Sequence, residues 1–300
     1  GLGTDGIAGG IPGRSDGLEY ACGDFASDGM NPSATGRRKV ADQLTAFLNT
    51  DSTSRLWYLD PNPPPANGNP FYADLDGVDD YAQVADSDGL SFGNGGSDTP
   101  LTLEAWFRAE GLLVKQNLIG KGVDNSNLEY RLYFAANSIR LDLRDRSAQA
   151  TVSAAMTGSQ AALAGNWHHL AVTYDGRGGP TAAAGIIFYM DGAVVPITRF
   201  NSSAYVAMEN TTAPLLIGRE GPNFKQYNGT IDEVRIWNVA RSQGQIQSQM
   251  AFELAGTEPG LAAYWKFNEG SGTSVADSTL LGHTTTLYNG TAWIAGGPMG

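Results

Sequence analysis

The chain has 300 residues, with 31 Asp and Glu against 19 Lys and Arg and a formal net charge of −12. Such an acidic surface repels phosphate backbones, and no basic stripe runs along it, so nucleic acid is excluded as a partner. Apolar residues make up 41%, enough for a core, while 39 glycines and only 17% charged residues point to short strands and tight turns rather than long helices. Cys22 is the only cysteine, which rules out an internal disulfide and a cysteine-built zinc site. No run reaches the ~18 apolar residues of a membrane-spanning helix. The chain opens on Gly1 rather than Met, and any leader is expected to have been removed.

Residues 1–36 are rich in Gly, Asp and Ser, with Asp-Gly turn signals at Asp5, Asp16 and Asp28. Val40, Leu44, Phe47 and Leu48 then recur at helical spacing behind Arg37, Arg38 and Lys39. Arg55–Leu59 suits a short strand. Pro61, Pro63, Pro64, Pro65 and Pro70 stiffen a linker over residues 60–70. The organisation expected is a small mixed extension over residues 1–66, of unassigned fold and with one short helix, followed by one β-domain over residues 67–300.

Beyond Tyr72, short strand-like runs alternate with turn clusters. Strands are expected at Tyr81–Val84, Leu101–Phe107, Asn117–Ile119, Tyr130–Phe134 and Ser138–Leu143, and again at His168–Tyr174, Ile186–Met190, Leu215–Ile217 and Thr230–Trp237. In Leu101–Phe107 the odd positions are apolar, the pattern of a half-buried strand. Asp191-Gly192 after Ile186–Met190 is a strong hairpin signal, because both turn residues tolerate positive φ. One helix is expected, capped by Ser242 and running through Ile246, Met250 and Leu254. No βαβ rhythm and no Gly-rich strand-to-helix loop occurs, which argues against nucleotide-binding architectures. The fold class is all-β, a two-sheet antiparallel sandwich.

Five segments in order carry a resemblance. They are Asp76-Gly77-Val78-Asp79-Asp80-Tyr81; Leu101–Phe107 with Ile119-Gly120-Lys121-Gly122; Asn166–Gly176 with Phe188–Gly192; Leu216–Arg219 with Gly229–Asn238 and Ala240-Arg241-Ser242; and the tail Tyr264–Gly272. Together they resemble the laminin-G-like jellyroll domains of the concanavalin A-like lectin/glucanase superfamily, over roughly residues 67–300. The tail is expected to close the fold with a strand near the sandwich termini. Residues 1–66 resemble no family.

The resemblance implies a structural Ca²⁺ where an early turn meets a late strand. Here that maps onto Asp76, Gly77 and Asp79 of the turn and Asp232 of the strand. Ca²⁺ takes six to eight oxygen ligands from carboxylates, carbonyls and water, so the residue types suit it. The plain alternative is a polar turn, with Asp232 accepting backbone hydrogen bonds. Ligands of this superfamily lie on rim loops or on a concave sheet, which points to loop 122–128 with Asp124, Asn125 and Asn127, and loop 220–228 with Asn223 and Tyr227. Asparagine amides beside an aromatic ring suit sugar hydroxyls, although the same residues are ordinary loop formers. Trp106, Trp167, Trp237 and Trp265 read as core anchors, and Arg235 as the partner of a nearby acid.

The reading that follows is a non-enzymatic, extracellular binding or adhesion protein, secreted or surface-associated, that engages glycan or protein ligands. An alternative is a structural subunit of a filament, pilus or virion surface that self-associates through residues 1–66. A glycoside hydrolase is disfavoured, because hydrolysis of this kind needs two carboxylates facing one sugar. Glu104 stands alone on its strand, and adjacent Asp232 and Glu233 should point to opposite faces. Sequons occur at Asn201, Asn210, Asn228 and Asn289.

Overall fold

A computed structural model describes residues 71–221 and 226–295. The chain divides into two units, Gly1–Pro61 and Asn62–Gly300, and every described residue lies in the second. The expected helix around Val40–Leu48, the strand Arg55–Leu59, Cys22 and Asn223 all fall outside the described residues.

Two antiparallel sheets face each other. The first contains β1 (Phe71–Asp76), β3 (Leu101–Ala109), β8 (His168–Tyr174), β9 (Ile186–Met190), β10 (Ala193–Val195), β13 (Asn228–Trp237), β14 (Leu261–Trp265) and β17 (Ala292–Ala295). Its order is β10-β9-β8-β3-β13-β1-β17, with β14 also paired to β13. The second contains β2 (Tyr81–Val84), β4 (Gln116–Lys121), β5 (Tyr130–Ala135), β6 (Ser138–Asp145), β7 (Ala150–Met156), β11 (Ile197–Phe200), β12 (Leu215–Ile217), β15 (Ser274–Val275) and β16 (Thr285–Tyr288). Its order is β11-β7-β6-β5-β4-β12-β2-β16-β15. This is the two-sheet sandwich expected from the strand pattern.

Period-two alternation fills the space between the sheets. Leu103, Ala105 and Phe107 of β3 point inward, as do Leu132 and Phe134 of β5, and all five are fully buried in one core cluster. Phe107 and Phe134 meet across the sheets with ring centroids 5.3 Å apart. Trp265 is fully buried in the same core, and its indole N–H donates to the His283 carbonyl, so the tail segment is built into the sandwich. The first and last described strands are hydrogen-bonded neighbours, with Phe71 opposite Ala295 and Asp74 opposite Ala292.

The single α-helix among the described residues, α1 (Gln243–Gln249), starts where expected. Ser242 caps it, and the Gln245 side chain reaches back to the Ser242 N–H in a capping box. The helix ends at Gln249 rather than running to Leu254. Leu254 instead packs with Trp237, Leu261 and Tyr264, and its N–H meets the Tyr264 hydroxyl. Helix α1 lies on the outer side of the first sheet, with Ile246 packed against Ala171 and Tyr189. The even positions of β3, expected outside, are therefore buried too. Thr102 and Glu104 are fully covered and Trp106 nearly so.

Strands β1, β7, β10, β11, β15, β16 and β17 were not expected. Alanines at three of the seven positions of β7 carry little strand propensity, and pairing to β6 on one side and β11 on the other makes the strand.

Candidate functional site

The Asp76–Asp80 turn follows β1 and is tied down from inside. The Asp76 side chain accepts from the Val78 N–H at 2.8 Å and the Asp79 N–H at 3.3 Å, an Asx-type turn. One carboxylate oxygen of Asp80 accepts from the Asp76 N–H at 3.2 Å. The other, Oδ1, is buried with no hydrogen-bond partner, on a residue only 4% exposed. Carboxylate oxygens of Asp76, Asp79 and Asp80 all lie within 4.8 Å of one another. Burial, and the nearby carboxylates of Asp76, Asp79 and Asp74, hold the Asp80 carboxyl above its usual range, against the opposing Asp76 N–H. Three carboxylates, one of which carries a buried and unpaired oxygen, make a donor set suited to a divalent cation.

The structure corrects the other half of the expected set. In the β1–β13 ladder Asp76 stands opposite Asn228, and Ala73 opposite Ile231. Asp232 is therefore four residues, roughly 13 Å, farther along the strand. It is 2% exposed, accepts from the Glu233 N–H and begins the bulge between Asp232 and Arg235. What β13 brings to the turn is Asn228, packed so closely on Gly77 that a β-carbon there would lie 2.6 Å from Asn228 Cβ. Sequence pattern identified the turn and strand β13, but the register that selects between Asp232 and Asn228 depends on pairing between residues more than 150 positions apart. Asp80 was missed because it borders a strand and looks like an ordinary turn residue.

The two expected ligand loops meet. Gly221 packs directly on the Val123 carbonyl, in space a side chain would occupy, with φ +114. The base of loop 122–128 is closed by Glu129 N–H donating to the Lys121 carbonyl, and buried Lys121 pairs with Glu129 at 3.2 Å and Asp86 at 2.5 Å. Within the loop, Asn127 accepts from the Val123 and Asp124 N–H groups, and Asp124 from the Ser126 N–H and hydroxyl. The Ser126 bonds hold the Asp124 carboxyl below its usual range. Asp124 and Asn127 thus shape the loop. Asn125 faces outward, its amide oxygen 3.5 Å from Arg131. Tyr227, expected to meet ligand, is fully buried with its hydroxyl donating to the Thr230 carbonyl; it belongs to the core, stacked on Phe134.

Arg131 organises a group that sequence reading missed. It projects from β5 onto the open face of the second sheet, donating to Asp142 at 2.8 Å and pairing with Glu220 of the other loop. Lys115 adds a contact to Glu220 at 3.5 Å, and both cations lie about 5 Å from the Tyr133 ring centre. Burial and the Asp142 carboxylate push the Tyr133 hydroxyl up to about 12. Arg131 and Asp142 occupy directly opposed positions of adjacent strands, a cross-strand pair that the hairpin register of β5 and β6 could have revealed.

Under α1 lies a separate, closed ionic cluster. Glu104 pairs with Arg241 at 2.6 Å and lies 3.9 Å from Arg235, while Arg235 pairs with Glu233, which also accepts from Tyr264 at 2.6 Å. Glu104 is not alone, as its strand suggested. The bulge, with Glu233 at φ +51, turns Glu233 toward the same covered face. Both glutamates are at most 1% exposed and paired with guanidinium groups.

A family model described as the concanavalin A-like lectin/glucanases superfamily, of the laminin G type, matches residues 76–247, more than half of the chain. The chain belongs to this superfamily. Solved structures similar to this chain include a Bacteroides ovatus protein assigned to carbohydrate binding, at 18% identity and TM-score 0.52, covering 75% of this chain and 60% of that one. Two others are the sialidase CBM40 of Ruminococcus gnavus bound to α2,3 sialyllactose (12%, TM-score 0.43, 59% and 95% covered) and mouse laminin α1 domains LG4-5 (15%, TM-score 0.38, 55% and 40% covered). At 18% identity the likeness to the Bacteroides ovatus protein concerns the fold alone. A search of curated protein sequences finds no match. The superfamily unites lectins and glucanases, so its membership carries binding and hydrolysis alike. No helix among the described residues is long and apolar enough to cross a membrane.

Proposed function

We propose that the domain is a non-enzymatic, extracellular binding or adhesion module that engages glycan or protein ligands at its rim and is stabilised there by Ca²⁺. The observation that carries this reading is the convergence of loop 122–128 and the segment around Glu220 on Arg131, which leaves Asn125 presented beside a guanidinium and an aromatic ring. Planar amides and guanidinium groups near a ring are the chemistry that recognises hydroxyls, amides and carboxylates.

Asp76, Asp79 and Asp80 would hold the ion. Two oxygens each ~2.4 Å from one Ca²⁺ lie at most ~4.8 Å apart, which the three carboxylates satisfy. Bound there, Ca²⁺ would neutralise mutual repulsion and give the buried Asp80 Oδ1 a partner. The non-enzymatic reading is supported by the enclosure of Glu104 and Glu233 beneath α1.

The test is a glycan array, with extracellular-matrix proteins as a parallel panel, probed with and without EDTA. Saturable binding that EDTA weakens and Arg131→Ala removes is expected. No binding to either panel, or binding indifferent to Arg131→Ala, would overturn the proposal, as would turnover of any polysaccharide.

A further inference from the structure

A cavity of about 230 Å³ opens on the opposite side of the domain, between the end of β13, helix α1 and the turn before β14. Its apolar wall is Trp237, Val239 and Pro259, and Arg241, Gln245, Ser248, Gln249 and Glu258 line the rest. It is distant from the rim. Trp237 ends the ten-residue strand that Asn228 begins, a separation of roughly 30 Å along β13.

Trp237 is 2% exposed, and its indole N–H has no acceptor. A buried donor without a partner costs ~1–3 kcal/mol, so something that accepts a hydrogen bond belongs beside it. One face of the indole is covered by the Arg241 guanidinium, 4.0 Å from the ring centre. Arg241 is in turn neutralised by Glu104 and held by the Gln245 carbonyl at 2.9 Å and the Gln249 side chain. Its charge is answered inside the protein, and Glu258 adds a carboxylate to the lining. The cavity therefore has no excess positive charge for an anion, and the chain's net −12 disfavours one further.

Beside the Arg241 guanidinium, which Glu104 neutralises, the cavity's polar groups are neutral amides, a hydroxyl and a well-anchored acceptor. Glu258 is fixed by the Ala255 and Gly256 N–H groups at 2.8 and 2.9 Å. The Gln245 side-chain oxygen accepts from the Ser242 N–H, which leaves its NH₂ to offer. Mixed donors and acceptors around a small apolar wall match a ring bearing several hydroxyls, in the space of one sugar unit.

We propose that this cavity binds one neutral sugar residue, as a second site independent of the rim, with the Trp237 N–H donating to a ring or hydroxyl oxygen. A domain carrying both sites would link two glycan strands or two points on one.

The test uses the ¹⁵N-indole spectrum of the full chain, whose six tryptophans give six resolvable signals, with Trp237 assigned from the neighbour-sensitive changes in Gln245→Ala and Ser248→Ala. The probes are the methyl glycosides of glucose, galactose, mannose and N-acetylglucosamine, with glycerol as control. At least one glycoside is expected to move the Trp237 signal saturably, to do so equally in EDTA and in Arg131→Ala, and to lose the effect in Ser248→Phe, which places a ring at the cavity mouth from an exposed helix position. The absence of a saturable shift with all four glycosides overturns the proposal. So does a shift shared by all six indoles or by glycerol, or one that survives Ser248→Phe. Because the rim is disabled separately, failure of the rim reading leaves this outcome legible.

Discussion

Asp76 faces Asn228 across the β1–β13 ladder, and Asp232 stands four residues away in the buried bulge. The carboxylate cluster proposed to hold a divalent ion thus gathers within five consecutive residues, Asp76 to Asp80, rather than spanning two distant strands.

If these carboxylates hold Ca²⁺, its addition should raise the melting temperature of the native protein by several degrees, and Asp80→Asn should abolish that rise. At 100-fold excess over the dissociation constant the ion would contribute about 2.7 kcal/mol. Asp232→Asn should alter baseline stability while leaving the Ca²⁺-dependent increment intact. Differential scanning calorimetry with Ca²⁺ and with EDTA reads both; an increment lost in Asp232→Asn but kept in Asp80→Asn would reverse the assignment.

Arg131 holds Asp142, Glu220 and Asn125 around one guanidinium. Arg131→Ala and Asn125→Ala should each weaken ligand binding by roughly tenfold, about 1.4 kcal/mol. Asn125→Ala should leave unfolding unchanged because its side chain shapes nothing, whereas Asn127→Ala should lower stability by about 1 kcal/mol through the loss of two loop hydrogen bonds. Surface plasmon resonance beside urea denaturation separates the two effects.

Gly221→Ala should be costly, since it strains a positive φ and presses a methyl into the Val123 carbonyl. A loss of about 1–3 kcal/mol is expected, accompanied by weaker ligand binding as the two loops part. Stability loss with unaltered affinity would show that loop contact does not matter to recognition.

His169 sits fully buried beneath α1, and burial, followed by the positive charges of Arg235 and Arg241, holds its imidazole well below the ordinary 6.5. The unfolded chain therefore takes up a proton below pH ~6.5 that the folded one refuses, and stability should be complete above that pH and decline beneath it. His169→Gln should flatten this part of the stability–pH curve, measured by urea unfolding between pH 7 and 5. An unchanged slope would place the acid sensitivity elsewhere.

Glu104 is the anion shared by Arg241 and Arg235. Glu104→Ala should cost about 3–5 kcal/mol, the usual consequence of leaving a buried charge without its partner. Chemical denaturation measures it directly.

Strands built on short apolar runs were legible from sequence to the residue: His168–Tyr174, Ile186–Met190 and Leu215–Ile217 form as expected. So was the hairpin at Asp191-Gly192, whose φ values of +50 and +74 are the ones its residues favour. The candidate loops were legible as loops, but which side chains face outward was not. Asp124 and Asn127 turn inward to cap their own backbone, a choice set by local geometry that composition does not encode. Tyr227 looked like a loop aromatic because the strand that buries it begins one residue later. Glu104 looked exposed because period two marks the side of a sheet, and nothing in β3 announces that α1, more than 130 residues on, covers that side.

Phe71 and Ala295 sit side by side where the chain enters and leaves the sandwich. Tension applied between the flanking segments would load the β1–β17 ladder from its end, parting its bonds in succession rather than all together. Anchored through both ends, the domain would hang from a zipper, and its exit strand would yield under load long before the rest of the sandwich.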